Sequence, residues 1–232
     1  MLMDIFSSFD DNNQVFMSLY ILMWLFPLVT VSLFSLSYWT MLPPQWASIT
    51  SIFKDTVSSQ IFRSYGLSMG GFMNIITSLF LFLIMMNMAG LMPYVFSPTS
   101  HLAVSLSLGL PLWLTLIVSA IFFNPSSVVA GLLPMGAPAP LNPFLVLIET
   151  VSIMVRPITL SVRLTANMSA GHIVLTLIGN YLTTSMFLSS VFSMLILLSI
   201  QVMYTIFEFG ISLIQAYIFC LLITLYSDEH PH

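Results

Sequence analysis

Long apolar stretches alternate with short polar or proline-rich breaks along this chain. Residues 15–39 carry no charge and are long enough for a membrane-crossing helix, which takes about 20 mostly apolar residues. Pro27 is expected to bend that helix. Residues 41–63 differ in character: Pro43, Pro44, Trp46, Lys54, Asp55, Gln60 and Arg63 make them too polar to cross. This stretch reads as a short helix lying in the membrane interface, with its loop completing 41–65. Two further spans follow within 66–126: residues 69–95, closed by Pro93 and Pro98, and residues 102–123, closed by Asn124 and Pro125. Pro134, Pro138, Pro140 and Pro143 leave no room for a helix, so 127–143 reads as a loop. Asn142 before Pro143 is a good N-cap and first-turn pair for a new helix.

Residues 144 to about 181, and 186 to about 226, then read as two helices of nearly forty residues each, with a short tail at 227–232. At 1.5 Å per residue each is about 55–60 Å long, almost twice the hydrocarbon thickness. The expected fold is an all-α polytopic membrane protein. It has about three upright spans, one interfacial helix, and a C-terminal hairpin of two long, steeply tilted helices. There is no internal repeat.

Composition agrees with that pattern. Only 5% of the 232 residues are charged, against about 25% in an ordinary soluble domain. With 58% hydrophobic residues and a mean hydropathy of +1.03, both a soluble globular fold and disorder are excluded. Four cations and a net charge of -4 offer no basic face for a phosphate backbone, which excludes nucleic acid as a partner. The single Cys220 can form neither an internal disulfide nor a thiolate cluster, and reads as a small apolar helix residue. The tail 1–14 carries Asp4, Asp10 and Asp11 and lacks the basic start of a leader, so insertion through the first apolar segment is expected. Seventeen Met beside a single Lys suit a chain made inside an organelle. Lys54 and Arg63, between spans one and two, put the interfacial segment on the matrix or cytoplasmic side and the N-terminus opposite.

Ionisable groups inside membrane helices are expensive and by default mark a pathway. Glu149, Arg156, Arg163, His172 and Glu208 lie in the last two helices. Glu149, Arg156 and Arg163 follow one another at seven-residue steps, so all three fall within about 40° on one face. Asn167 is the i+4 neighbour of Arg163 on that face. His172, nine residues after Arg163, looks the other way. Thr159, Ala166, Ala170 and Gly171 around Arg163 are small, and small residues let another helix approach closely in lipid. The pattern is an arginine in a shallow trough, presented to something outside the chain. A guanidinium stays charged when desolvated, whereas a buried ammonium can lose its proton. It can therefore hold a passing carboxylate ionised, repel a free proton, and separate two wet passages. Gln201, Glu208 and Gln215 form a second polar stripe at seven-residue spacing, with Ser212 one turn after Glu208.

Plainer readings stand beside these. Glu149 can be a structural partner of Arg156. Arg156 precedes Pro157, whose ring frees the carbonyl of Ile153, and can bind backbone or a lipid headgroup. His172 can be a packing histidine, and Glu208 a bystander. His101, His230 and His232 carry no metal-ligand spacing. No catalytic nucleophile, metal site or cofactor motif is expected.

Three blocks of residues carry a family resemblance. Ser161, Val162, Arg163, Leu164, Thr165, Ala166, Asn167, Met168, Ser169, Ala170, Gly171 and His172 form the most specific. The run Asn87, Met88, Ala89, Gly90, Leu91, Met92, Pro93, Tyr94 is the second, continuing through Ser97, Pro98 and Thr99 to Pro111, Leu112 and Trp113. Leu147, Ile148, Glu149, Thr150, Val151 and Ser152 are the third. Together they resemble subunit a of the mitochondrial F-type ATP synthase, over nearly the whole chain. The resemblance implies a stator subunit of the Fo sector in the mitochondrial inner membrane. Such a subunit forms two offset half-channels against a rotating c-ring of proteolipid subunits, beside other Fo and peripheral-stalk subunits and lipid. The family's ring-facing arginine matches Arg163. Glu208 and His172 match groups of the half-channel from the intermembrane space, and Glu149 one of the matrix half-channel. Asn167 and Gln215 match polar neighbours of the arginine. Arg156 is not required by the family pattern and stays outside the mechanism. The chain has no nucleotide-binding motif, so the ATP chemistry would belong to other subunits.

A membrane subunit of an electron-transfer complex with a proton relay is the alternative. Diheme ligation needs pairs of His on facing helices, and only His172 qualifies. A quinone-linked pump subunit would use lysines inside its helices, whereas Lys54 is interfacial. A pure scaffold does not account for the Arg163 trough. The absence of clustered oxygen ligands in the sequence favours protons over sodium.

Overall fold

The structure, a computed structural model, describes residues 45–92, 97–133, 141–188 and 191–230, together with positions 25, 28, 29 and 32. The expected acidic tail 1–14 lies outside the described residues, as does nearly all of the first span at 15–40. Among the described residues every regular element is helical. Helix α1 is Gln45–Ile61, α2 is Phe72–Gly90, α3 is Leu102–Phe123, α4 is Pro125–Gly131, α5 is Asn142–Leu188 and α6 is Val191–Asp228. Short 3-10 turns at Tyr65–Ser68 and Pro98–Ser100 precede α2 and α3. Four of these helices (α2, α3, α5 and α6) are long and apolar enough to cross a membrane. The protein is thus an all-α polytopic membrane protein.

Burial follows the helical period. On α5, Leu160, Ser161, Leu164, Thr165 and Met168 form one buried face. They meet a core built from Val57 and Ile61 of α1, Ile76, Phe80 and Leu83 of α2, and Ala216, Phe219 and Ile223 of α6. The buried hydroxyls on α5 bond back to carbonyls of the preceding turn, Ser161 to Ile158 at 2.9 Å and Thr165 to Val162 at 3.0 Å. These two hydroxyls are thereby satisfied inside an apolar environment. Outward faces are apolar instead: Leu110, Leu114, Val118 and Phe122 of α3 are exposed, the last at 85%. A water-soluble chain would not present such a face, and lipid or a partner subunit covers it without cost.

Several contacts gather one end of the molecule. The Tyr65 N–H donates to the Asp228 carboxylate at 2.9 Å, tying the first 3-10 turn to the end of α6. Gly66 sits under the Phe72 ring and Ser227, where any Cβ would overlap both. His230 meets Ser119 near the end of α3 at 3.2 Å. The Gln60 side chain donates to the Tyr217 hydroxyl, joining α1 to α6.

Two boundaries depart from expectation. Residues 125–131 form helix α4, which overlaps the start of the segment read as a loop at 127–143. Asn124 closes α3 and at the same time caps α4, its Oδ1 accepting from Ser127 N–H, with Pro125 at the first helical position. The pair read as a stop is also a start. The other departure is that α5 continues to Leu188, past the expected end near Tyr181, for 47 residues and about 70 Å. Thr183, Thr184 and Ser185 bond back to carbonyls of Asn180, Tyr181 and Leu182, so this polar stretch satisfies its own hydroxyls without leaving the helix.

Candidate functional site

The face of α5 opposite its core carries the arginine. Thr159, Val162, Arg163, Ala166 and Ala170 are all exposed, while Leu160, Ser161, Leu164, Thr165 and Met168 between them are buried. Among the described residues the ion pairs involve Arg156 and none involves Arg163. A charged guanidinium therefore stands on the outer surface of a membrane helix, with the methyl side chains of Ala166 and Ala170 on its C-terminal side. Gly171 departs from the expected trough. It is buried and faces α6, because eight residues from Arg163 is about 80° round the helix.

The polar stripe of α6 lies against α5. Glu208 is 3% and Gln215 4% exposed. Asn167, beside Arg163, donates from Nδ2 to the Gln215 Oε1 at 2.8 Å. The Glu208 carboxylate rests on Gly171, where an added Cβ would overlap it. A side chain at 171 and the acid at 208 cannot share that space, so the glycine admits the carboxylate between the two helices. His172 follows directly and is half-buried. Tyr204 stands one turn before Glu208 on α6. Ser212, one turn after, is 1% exposed, and its carbonyl accepts from Asn87 Nδ2 of α2 at 3.4 Å. Glu208, Gln215, Asn167 and Asn87 thus form a polar seam through an apolar bundle.

Glu149 belongs elsewhere. It lines a cavity of about 640 Å³ between α3, α4, α5 and the end of α6. Arg156 Nη2 lies 3.6 Å from its carboxylate, while Nη1 meets the carboxylate of Glu229 just past α6. The Arg156 guanidinium also covers the Tyr226 ring, 5.3 Å from its centre. This is the end of the molecule where Tyr65 meets Asp228. Glu208 lies twenty residues up α6 from Asp228, about 30 Å away. The two acids therefore stand at different depths, with the Arg163 face between them along α5.

The sequence model of the ATP synthase A chain family matches residues 15–228. Subunit a of the ATP synthase of Artemia franciscana is 40% identical across 99% of this chain and 100% of its own length. The Drosophila mauritiana subunit a is 38% identical over 99% of both chains. Subunit a of the F(0) complex of Scyliorhinus canicula is 44% identical over 66% of this chain and 67% of its own. This chain belongs to the ATP synthase A chain family. It is a membrane subunit of the Fo sector and works among the other subunits of that synthase.

For this subunit, sequence reasoning missed two groups of residues. Glu229, Tyr226 and His230 line the Glu149 cavity, although 227–232 had read as a tail. Their signal was the Tyr226-to-Glu229 spacing of nearly one turn, visible only once the helix is known to reach Asp228. Asn87 is the other. It had entered only as the first residue of the second resemblance block; it is wholly buried, and an Asn deep inside an apolar span was the available sign. Arg156 pairs with Glu149, as one of the plainer readings expected, and with Glu229 as well.

Proposed function

We propose that this chain is the stator a subunit of a proton-transporting ATP synthase in the mitochondrial inner membrane, forming two offset half-channels against a c-ring. Arg163 faces the ring carboxylate and keeps it ionised as it passes. Protons from the intermembrane space reach that carboxylate through the seam of Glu208, His172, Asn167 and Gln215. After nearly a full turn of the ring they leave past Glu149 into the matrix. The interfacial segment with Arg63, and the Glu149 cavity at the same end, face the matrix under the positive-inside rule. The chain holds no catalytic site of its own, and ATP forms on other subunits driven by the rotation. The c-ring, further Fo subunits and the peripheral stalk are its partners. Helices of 47 and 38 residues fit the bilayer as a steeply tilted hairpin.

One observation carries this reading: an exposed guanidinium with no acid partner among the described residues, on a membrane helix that places Ala166 and Ala170 beside it. Lipid gives a lone charge no solvation, and a counter-charge on a close-fitting neighbour does. The Ala170→Leu variant tests it. If a rotor helix slides along this face, the added bulk holds its carboxylate away from Arg163, and attraction falls with distance. The expected result is an assembled complex that has lost proton-driven ATP synthesis, both measured in the same membranes. On a lipid-facing surface Leu is harmless or mildly favourable. Full synthesis by Ala170→Leu would put lipid on this face and the partner elsewhere.

A further inference from the structure

Arg156 has no task in the proton path described above, yet its surroundings are heavily charged. Two different nitrogens of one guanidinium reach two acids from distant parts of the chain, Nη2 to Glu149 at 3.6 Å and Nη1 to Glu229. The Tyr226 ring lies beneath the same plane. A planar fork can serve two carboxylates and a ring face together, whereas a lysine presents one ammonium point. The four side chains line one cavity, whose apolar wall comes from Trp113, Leu116, Ile117 and Ile153.

These pairs are not what holds the fold together. The side chains are 25% exposed at Arg156, 39% at Glu149 and 59% at Glu229, where ion pairs add little to stability. The end of α6 has an independent anchor in the Asp228 bond to Tyr65. Removal of Arg156 therefore leaves Glu149 and Glu229 in place as two like charges with nothing between them, and like charges at that range push each other away.

We propose that Arg156 is a positioning residue of the exit path: its fork holds Glu149 and Glu229 side by side on the cavity wall, so that a proton leaving the ring meets a fixed acceptor. This rests on the reading of Glu149 as the matrix-side acid. The proton binds a Glu149 carboxylate oxygen and leaves from it to the aqueous phase, and only O–H bonds form and break. Arg156 supplies charge balance and geometry and takes no proton.

Membrane vesicles carrying the whole ATP synthase provide the test, with assembly and proton flux measured for each variant. Arg156→Gln is expected to assemble and to lose about tenfold in flux, within the range for coupled charged neighbours. Arg156→Lys should recover only part of that loss. The deciding variant is Arg156→Gln combined with Glu229→Gln. Removing the acid left unbalanced should return flux to within about twofold of wild type, a coupling that independent sites do not show. A residue that merely ties α5 to α6 gives the opposite result, with the double variant as impaired as the single or worse. That result, wild-type flux in Arg156→Gln, or failed assembly of both the Gln and Lys variants would each overturn the proposal. Glu149→Gln in parallel separates the two levels. If it impairs flux while Arg156→Gln does not, only the positioning role falls. If it conducts at the wild-type rate, the matrix-side reading of Glu149 falls, and the role of Arg156 with it.

Discussion

Membranes carrying Arg163→Ala are expected to contain an assembled ATP synthase and to make no ATP from proton flow. Assembly should survive because Arg163 is exposed and makes no ion pair among the described residues, so its removal strands no buried partner. Coupling should not survive. Two opposite charges about 4 Å apart in partly wet protein attract by about 4 kcal/mol, roughly a thousandfold in an equilibrium. Without that attraction nothing favours the ionised ring carboxylate at the crossing, and nothing bars a proton from passing between the two half-channels directly. Arg163→Gln should fail in the same way. Arg163→Lys should fail too, since an ammonium lacks the planar fork and can lose its proton when desolvated. The measurement is proton-driven ATP synthesis beside the amount of assembled complex. Normal synthesis by Arg163→Ala membranes would remove the basis of the proposed mechanism.

Glu208→Gln should give the next largest loss, a deep but incomplete fall in proton uptake from the intermembrane side. A positioned acid accelerates proton transfer by about 10²–10⁴, which sets the scale expected. Gly171→Ala offers an independent route to the same defect. Alanine in a helix interior is favoured over glycine by about 1 kcal/mol, so α5 itself gains. The new methyl nevertheless overlaps the Glu208 carboxylate, and overpacking of that kind costs about 1–3 kcal/mol. The acid has to move, since the backbone of a long packed helix yields less than one side chain. Proton uptake should therefore fall in Gly171→Ala membranes while the complex still assembles. Wild-type rates for Glu208→Gln over a wide pH range would make that acid structural. Wild-type rates for Gly171→Ala alone would mean that proton transfer tolerates a displaced carboxylate.

Glu149→Gln, the third carboxylate substitution, should slow the exit step without affecting assembly, because its side chain is 39% exposed and its ion pair adds little. Proton release on the cavity side is what to measure. An unchanged rate would leave Glu149 as no more than the partner of Arg156.

What the sequence determined by itself is whatever one helix decides alone. Apolar runs long enough to cross lipid, their polar and proline-rich breaks, and the seven-residue spacing from Glu149 to Arg163 all follow from 1.5 Å of rise and 100° of turn per residue. So does the small-residue surround of Arg163, apart from Gly171, and the structure exposes Thr159, Ala166 and Ala170 beside it. The stripe of Gln201, Glu208 and Gln215 was legible for the same reason. The tertiary structure alone decided which stripes meet, and at what height. The Asn167–Gln215 bond, the seat of Glu208 on Gly171 and the bridge from Arg156 to Glu229 join residues 37 to 73 positions apart. Each depends on the register and crossing of α5 against α6, which the side chains of both helices set together by close packing. A periodic pattern on one helix tells which side faces inward. It does not tell which residue of the next helix stands opposite, and that is why the charge clustered around Arg156 came into view only with the fold.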